Sequence, residues 1–219
     1  MRPDALLFDL DGTLILTDDL HAEVFGEIGA RFGVPIDRER YDREIQGRLN
    51  ADIFSDLFPG EDAAVLADEK ERMFRERLGA RAAPVHGLAA LLDWAAARGV
   101  PTAVVTNAPR ENAAAMLDAI GLAERFGTLV LGDELPRGKP DPLPYQTAMA
   151  RLGAEPGACL AFEDSRSGVA SARAAGARVY GLASSLDAAT LRAAGAHHVI
   201  ADFADPGLWA RLDPERLAP

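Results

Sequence analysis

LLFDLDGTL, residues 6–14, runs apolar side chains straight into two carboxylates and stops at a glycine. In a strand, side chains alternate between faces, so Asp9 and Asp11 are expected on one side with Leu10 on the other. Two like charges that close repel, and desolvation adds to the cost. Such a pair is either a solvated turn, since Asp and Gly are ordinary turn residues, or a cation site with one carboxylate left free for chemistry. The stretch by itself leaves both readings open.

Short apolar runs that end in turn residues recur along the chain: ALLFDLDG, PTAVVTNA, TLVLGDE, ACLAFEDS, RVYGLASS and HHVIADF. Helical patterns rich in Ala, Leu and Arg lie between most of them, over residues 87–98, 110–120, 143–152 and 167–175. Glycines close three of these patterns, as helix C-termini often require. Strands alternating with helices of this length predict an α/β fold: a Rossmann-like open parallel sheet with helices on both faces. Between Leu14 and Pro84 the pattern changes, and residues 17–33, 37–46, 49–58 and 61–79 read as helices without a clear strand. The expected organisation is a core of residues 1–14 and 84–219 with an inserted all-α domain over 15–83.

In open parallel sheets, ligands bind beyond the carboxyl ends of the strands. The first run delivers Asp9 and Asp11 there, the second Thr106 and Asn107, and the fourth Glu163 and Asp164; Lys139 follows the third in GKPDP. A hard cation such as Mg2+ takes oxygen ligands and keeps several waters, so Asp9 and Asp164, with Glu163 as a third candidate and a nearby backbone carbonyl, suffice to hold it. One carboxylate can then act as a nucleophile towards a phosphoryl group, while its neighbour two residues on protonates the leaving alcohol and activates water. The Thr106 hydroxyl, Asn107 amide and Lys139 ammonium are suitable donors to phosphoryl oxygens. Each motif also has a plain structural reading: TN and FEDS as helix starts, GKPDP as an exposed loop. Their order along the chain and their shared position at strand ends favour the chemical one.

Composition narrows the partners. A net charge of −11 disfavours nonspecific binding to nucleic acid or anionic membranes. No apolar run approaches the ~18 residues of a membrane span, and the expected location is cytoplasmic. The single cysteine, Cys159, lies in an apolar run and reads as a buried small hydrophobe. No exposed apolar seam stands out, so a monomer is the default.

With FDLDGT, VVTN, the lysine of GKPDP and FEDS in this order, the chain resembles the haloacid dehalogenase superfamily of phosphotransferases over nearly its full length. The subgroup it looks most like contains beta-phosphoglucomutase, phosphoglycolate phosphatase and small sugar-phosphate phosphatases. The resemblance implies Asp9 as nucleophile, Asp11 as general acid and base, and Thr106 and Lys139 as phosphate ligands. It also implies Mg2+ held by Asp9, the Asp11 carbonyl and Asp164, and it makes the helical insert a cap that closes over a small phosphorylated metabolite. His21 sits where mutase-like members carry a histidine, and QGRLNAD resembles a substrate-facing segment, which makes His21, Gly47, Arg48 and Asn50 candidate substrate contacts. The chain departs from the subgroup at Leu16 and Thr17, where Asp-Ser is common, and at Asn50, where the mutase carries an arginine. The expected activity is Mg2+-dependent phosphomonoester hydrolysis, with a sugar phosphomutase as the alternative. Dehalogenation is disfavoured because its enzymes lack an aspartate like Asp11, and phosphonoacetaldehyde hydrolysis because Lys70, in ADEKERMFRER, reads as part of a solvated helix face.

Overall fold

A computed structural model describes residues 2–46, 48, 50–79 and 82–213 of the chain. After β1 (Ala5–Phe8) comes an all-helical segment. It contains α1 (Asp18–Arg31), α2 (Arg38–Arg40) running into a π-helical turn (Tyr41–Ile45), α3 (Asn50–Leu57) and α4 (Ala63–Leu78). The chain then alternates: α5 (Leu88–Ala97), β2 (Thr102–Thr106), α6 (Arg110–Ala119), β3 (Thr128–Leu131), α7 (Leu143–Leu152), β4 (Cys159–Glu163), α8 (Arg166–Ala174), β5 (Arg178–Leu182), α9 (Ala188–Ala194), β6 (His198–Ile200) and α10 (Pro206–Leu212). It divides into two compact units, Met1–Leu16 with Ala83–Pro219, and Thr17–Ala82.

All six strands pair in parallel in the order β3-β2-β1-β4-β5-β6. The order reverses between β1 and β4, so the crevice at their carboxyl ends is the topological switch point of the sheet. Alternation along the strands divides the core. Ala5, Leu7, Ala103, Val105 and Ala161 face a cluster that includes Tyr145, Ala148 and Met149 of α7 and Val169 and Ala172 of α8. On the other face, Phe8, Phe162 and Tyr180 stand side by side on β1, β4 and β5, with successive rings 5.0 and 5.4 Å apart. Phe203 packs edge-on against the first two. Each such ring taken fully out of water stabilises the sheet by roughly 2–3 kcal/mol. Helices α9 and α10, seven residues each, are additions to the sequence reading. They are too short for a helical period to stand out, although Asp187 and Asp205 cap their first turns.

The helical unit has its own aromatic interior, where Phe25 stacks on Phe54 at 5.4 Å and Tyr41, Phe58 and Phe32 extend the cluster. Lys70 corrects the sequence reading. Its side chain is buried on α4, with the ammonium 2.9 Å from Glu71 and over the rings of Phe25 and Phe74. The charged run around it is therefore solvated on only part of its circumference. Among the described residues no helix is long and apolar enough to cross a membrane.

Candidate active site

The carboxylates reach the switch point through strand alternation. Asp9 follows Phe8 and Glu163 follows Phe162, so both turn to the face covered by α7 and α8, opposite the aromatic ladder. Asp11 does not continue that alternation. β1 ends at Phe8, and the Leu10 carbonyl accepts the N–H groups of Thr13, Leu14 and Ile15, which turns the chain sharply. Gly12 makes this turn with φ +80°, and a Cβ there would collide with the Asp164 carboxylate, so glycine is required twice over. Asp11 is half-buried and bridges Ile15, while the buried Thr13 hydroxyl donates to Asp164 Oδ1 at 3.3 Å. One oxygen each from Asp9, Glu163 and Asp164 lies within 4.8 Å of the others.

Lys139 supplies positive charge from the loop before α7. Its Nζ donates to Asp9 Oδ1 at 2.6 Å and to Glu163 Oε1 at 2.5 Å, with the side chain only 4% exposed. Asn107 fixes the backbone of that loop. Its Oδ1 accepts the Lys139 N–H at 3.0 Å and its Nδ2 donates to the Lys139 carbonyl at 3.1 Å. The amide expected to meet phosphoryl oxygens therefore clamps the lysine that does so in the sequence reading. Thr106 is buried, and its Oγ1 accepts the Ala108 N–H at 3.0 Å, which leaves its own O–H as a donor. It is not a helix cap, because α6 starts at Arg110 behind Pro109.

Three buried carboxylates against one lysine leave an excess of negative charge. Burial, with Glu163 and Asp11 adding and Lys139 opposing, pushes Asp9 up to about 7. Burial with Asp9 and Glu163 nearby holds Asp164 well above the carboxylate range. Burial would lower Lys139, but Asp9 and Glu163 outweigh it and keep the ammonium charged. All the donors are oxygens, so the set fits a hard divalent cation such as Mg2+. A thermal measurement can check this. Because the folded pKa of Asp9 lies above its unfolded value, its contribution to stability is full below about 4 and disappears as pH rises through about 7. In chelator, the melting temperature is expected to fall across that window, and added Mg2+ to restore it more at pH 8 than at pH 5.5. A melting temperature indifferent to Mg2+ at pH 8 would contradict the fit.

The profile of haloacid dehalogenase-like hydrolases matches residues 3–176. This chain is a haloacid dehalogenase-like hydrolase. It is 34% identical to validoxylamine A 7'-phosphate phosphatase of Streptomyces hygroscopicus subsp. limoneus, across 84% of this chain and 88% of that one. It is 35% identical to a phosphoglycolate phosphatase of Rhodospirillum rubrum, across 94% and 90%. The crystal structure of CbbY from Rhodobacter sphaeroides in complex with phosphate superposes with a TM-score of 0.83 at 29% identity, covering 97% of this chain and all of that one.

In this hydrolase the candidate residues of the helical unit do not act alike. His21 lies flat against Phe74, ring centroids 4.2 Å apart. Asn50 donates to Glu71 at 2.5 Å, which joins it to Lys70 in one polar network. Burial raises Glu71, but the charge and hydrogen bond of Lys70, with His21 and Asn50, outweigh it and hold it below the usual range. Arg48 is exposed and bound to Asp56 and to the Glu44 carbonyl at 3.0 Å. Gly47 and the expected helix start at Leu49 lie outside the described residues. Leu16, in the departure from the subgroup, is exposed, and Thr17 is buried.

The hydrolase core also holds residues the sequence reading passed over. Tyr145 donates to Glu163 Oε1 at 2.6 Å and Ser165 donates to Glu163 Oε2 at 3.3 Å. Ser165 also caps α8 by accepting the Gly168 N–H at 3.0 Å, so FEDS is a helix start as well as a carboxylate pair. Gly168 lets α8 approach, since a Cβ there would collide with the Glu163 carboxylate. Ser184 donates to the Gly12 carbonyl at 2.6 Å and ties down the turn that carries Asp11. Only the capping serine had a local signal, Ser165 followed by a helical pattern.

Proposed function

We propose that this protein hydrolyses phosphate monoesters of small metabolites through a phosphoryl intermediate on Asp9. The observation that carries the reading is the buried Lys139–Asp9 pair beside Glu163 and Asp164 at the switch point. An Asp9 carboxylate oxygen attacks phosphorus, the bond from phosphorus to the ester oxygen breaks, and Asp11 delivers a proton to the departing alkoxide. Asp11 then takes a proton from water, which attacks the same phosphorus, releases phosphate and regenerates Asp9. Lys139 and the Thr106 hydroxyl hold phosphoryl oxygens during both displacements. A bound Mg2+, held by Asp9, Asp164 and the Asp11 carbonyl with Glu163 in the same cluster, would neutralise charge on the phosphoryl group.

Relatives named as phosphatases of phosphorylated small molecules support this reading. The helical unit takes the role of the cap, with His21, Asn50 and Arg48 supplying discrimination among leaving groups. The mutase alternative needs a second phosphate contact; Arg48 and Lys70, two cations of that unit, are bound to Asp56 and Glu71.

The test is phosphate release from p-nitrophenyl phosphate and from a panel of phosphorylated metabolites that includes a bisphosphorylated sugar, with Mg2+ and with chelator. Release that depends on Mg2+ is expected. No release from any substrate would overturn the proposal, and isomerisation of a sugar phosphate without release would replace hydrolysis by phosphoryl shuttling.

A further inference from the structure

Tyr145 is wholly buried in the apolar cluster beneath α7, yet its hydroxyl is tied to the most highly charged place in the core. Glu163 Oε1 accepts two hydrogen bonds, from Tyr145 Oη at 2.6 Å and from Lys139 Nζ at 2.5 Å. The same ammonium lies 5.3 Å from the centre of the Tyr145 ring. Tyr145 therefore meets Lys139 twice, by a shared carboxylate oxygen and through its π face. Burial, with Glu163 adding, holds the phenol well above its ordinary range, so it stays a donor.

The frame around this contact is stiff. Asp141 Oδ1 accepts the Leu143 N–H at 2.9 Å, and the Asp141 carbonyl accepts Ser171 Oγ at 2.5 Å. The lysine loop, the first turn of α7 and α8 are thereby joined. Glu163 has no exposed surface, and Ser165 holds its other oxygen, so the carboxylate cannot swing away to water. With Glu163 fixed, the Lys139 ammonium is fixed between it and Asp9.

We propose that Tyr145 is a positioning residue of the phosphoryl site: by orienting Glu163 and supporting the ammonium, it aims Lys139 at Asp9 and at the transferred group. This rests on the reading of the site as a phosphoryl-transfer centre. Tyr145→Phe keeps the ring and its packing and removes one hydrogen bond. Small misplacements of a charge-stabilising group reach factors near 100, so a fall in kcat of about tenfold or more is expected. Inorganic phosphate, measured by calorimetry on the Mg2+-loaded protein, should bind at least about threefold more weakly. The melting temperature should move by only a few degrees. Because Tyr145 acts through Lys139, the substitution should have little further effect on phosphate binding or residual turnover in a Lys139→Met background, as coupled residues do not add.

Tyr180→Phe, an equally buried tyrosine outside this network, serves as the packing control and should leave turnover unchanged. A Tyr145→Phe protein with kcat and phosphate affinity within about twofold of the parent would overturn the inference. Equal losses with and without Lys139 would also overturn it, since they would mark a purely structural role. An inactive parent enzyme would instead remove the phosphatase reading on which the inference rests.

Discussion

Asp9→Asn is expected to lower turnover by roughly six orders of magnitude, the scale seen when a nucleophile is removed, while the protein stays folded. The amide is a poor nucleophile and a weak ligand for a hard cation. The effect on stability should have the opposite sign. The parent must hold a carboxylate that is buried, pushed up to about 7, and repelled by Glu163 and Asp11. Removing that charge should stabilise the metal-free protein at pH 8 by an amount on the order of a few kcal/mol. The gain should shrink towards pH 5 and vanish only below about 4, where Asp9 is protonated in both the folded and the unfolded parent. Phosphate-release kinetics on protein free of deamidation, with denaturant titrations at both pH values, check the two halves. Turnover within a few-fold of the parent would exclude Asp9 as nucleophile.

The sheet was legible because buried parallel strands read as short apolar runs, and because each run ends where its chemistry begins. Asp9, Thr106, Glu163 and Asp164 needed no more than that, and all four stand at strand ends in the core. Asp11 was misplaced in detail, since a strand period cannot show that β1 stops at Phe8 and turns on Gly12. Asn107 illustrates a different limit. Its side chain chemistry suits a phosphoryl oxygen, but the loop carrying Lys139 folds back on it and takes both ends of the amide. Lys70 failed because ADEKERMFRER is charged around much of its helix, and only packing against Phe25 and Phe74 selects which charge is buried. Tyr145 and Glu163 are 18 residues apart, and their bond exists because α7 docks against the sheet. Candidate reacting residues are marked by type and place; the residues that hold them become visible only after packing.

Lys139→Ala is the second large expectation, and its stability effect runs against that of Asp9→Asn. The lysine touches both Asp9 and Glu163, and its removal leaves two buried carboxylates facing each other across a cavity. Breaking a buried ion pair from one side typically destabilises by about 3–5 kcal/mol. The loss should grow with pH. Without the ammonium the folded-state pKa of Asp9 rises further above its unfolded value, and a raised carboxylate contributes stability below its unfolded pKa that is lost as pH climbs through the folded one. Turnover should fall by roughly two to three orders of magnitude, the range for deleting one donor to a developing anion. The two variants therefore share a sign in activity and differ in sign in stability at pH 8, a pattern that mere disruption of the core would not produce. Denaturant titrations at pH 5.5 and pH 8 beside phosphate-release kinetics measure both. A Lys139→Ala protein as stable as the parent at pH 8, with turnover within tenfold, would mean that the ammonium neither neutralises these carboxylates nor serves the phosphoryl group.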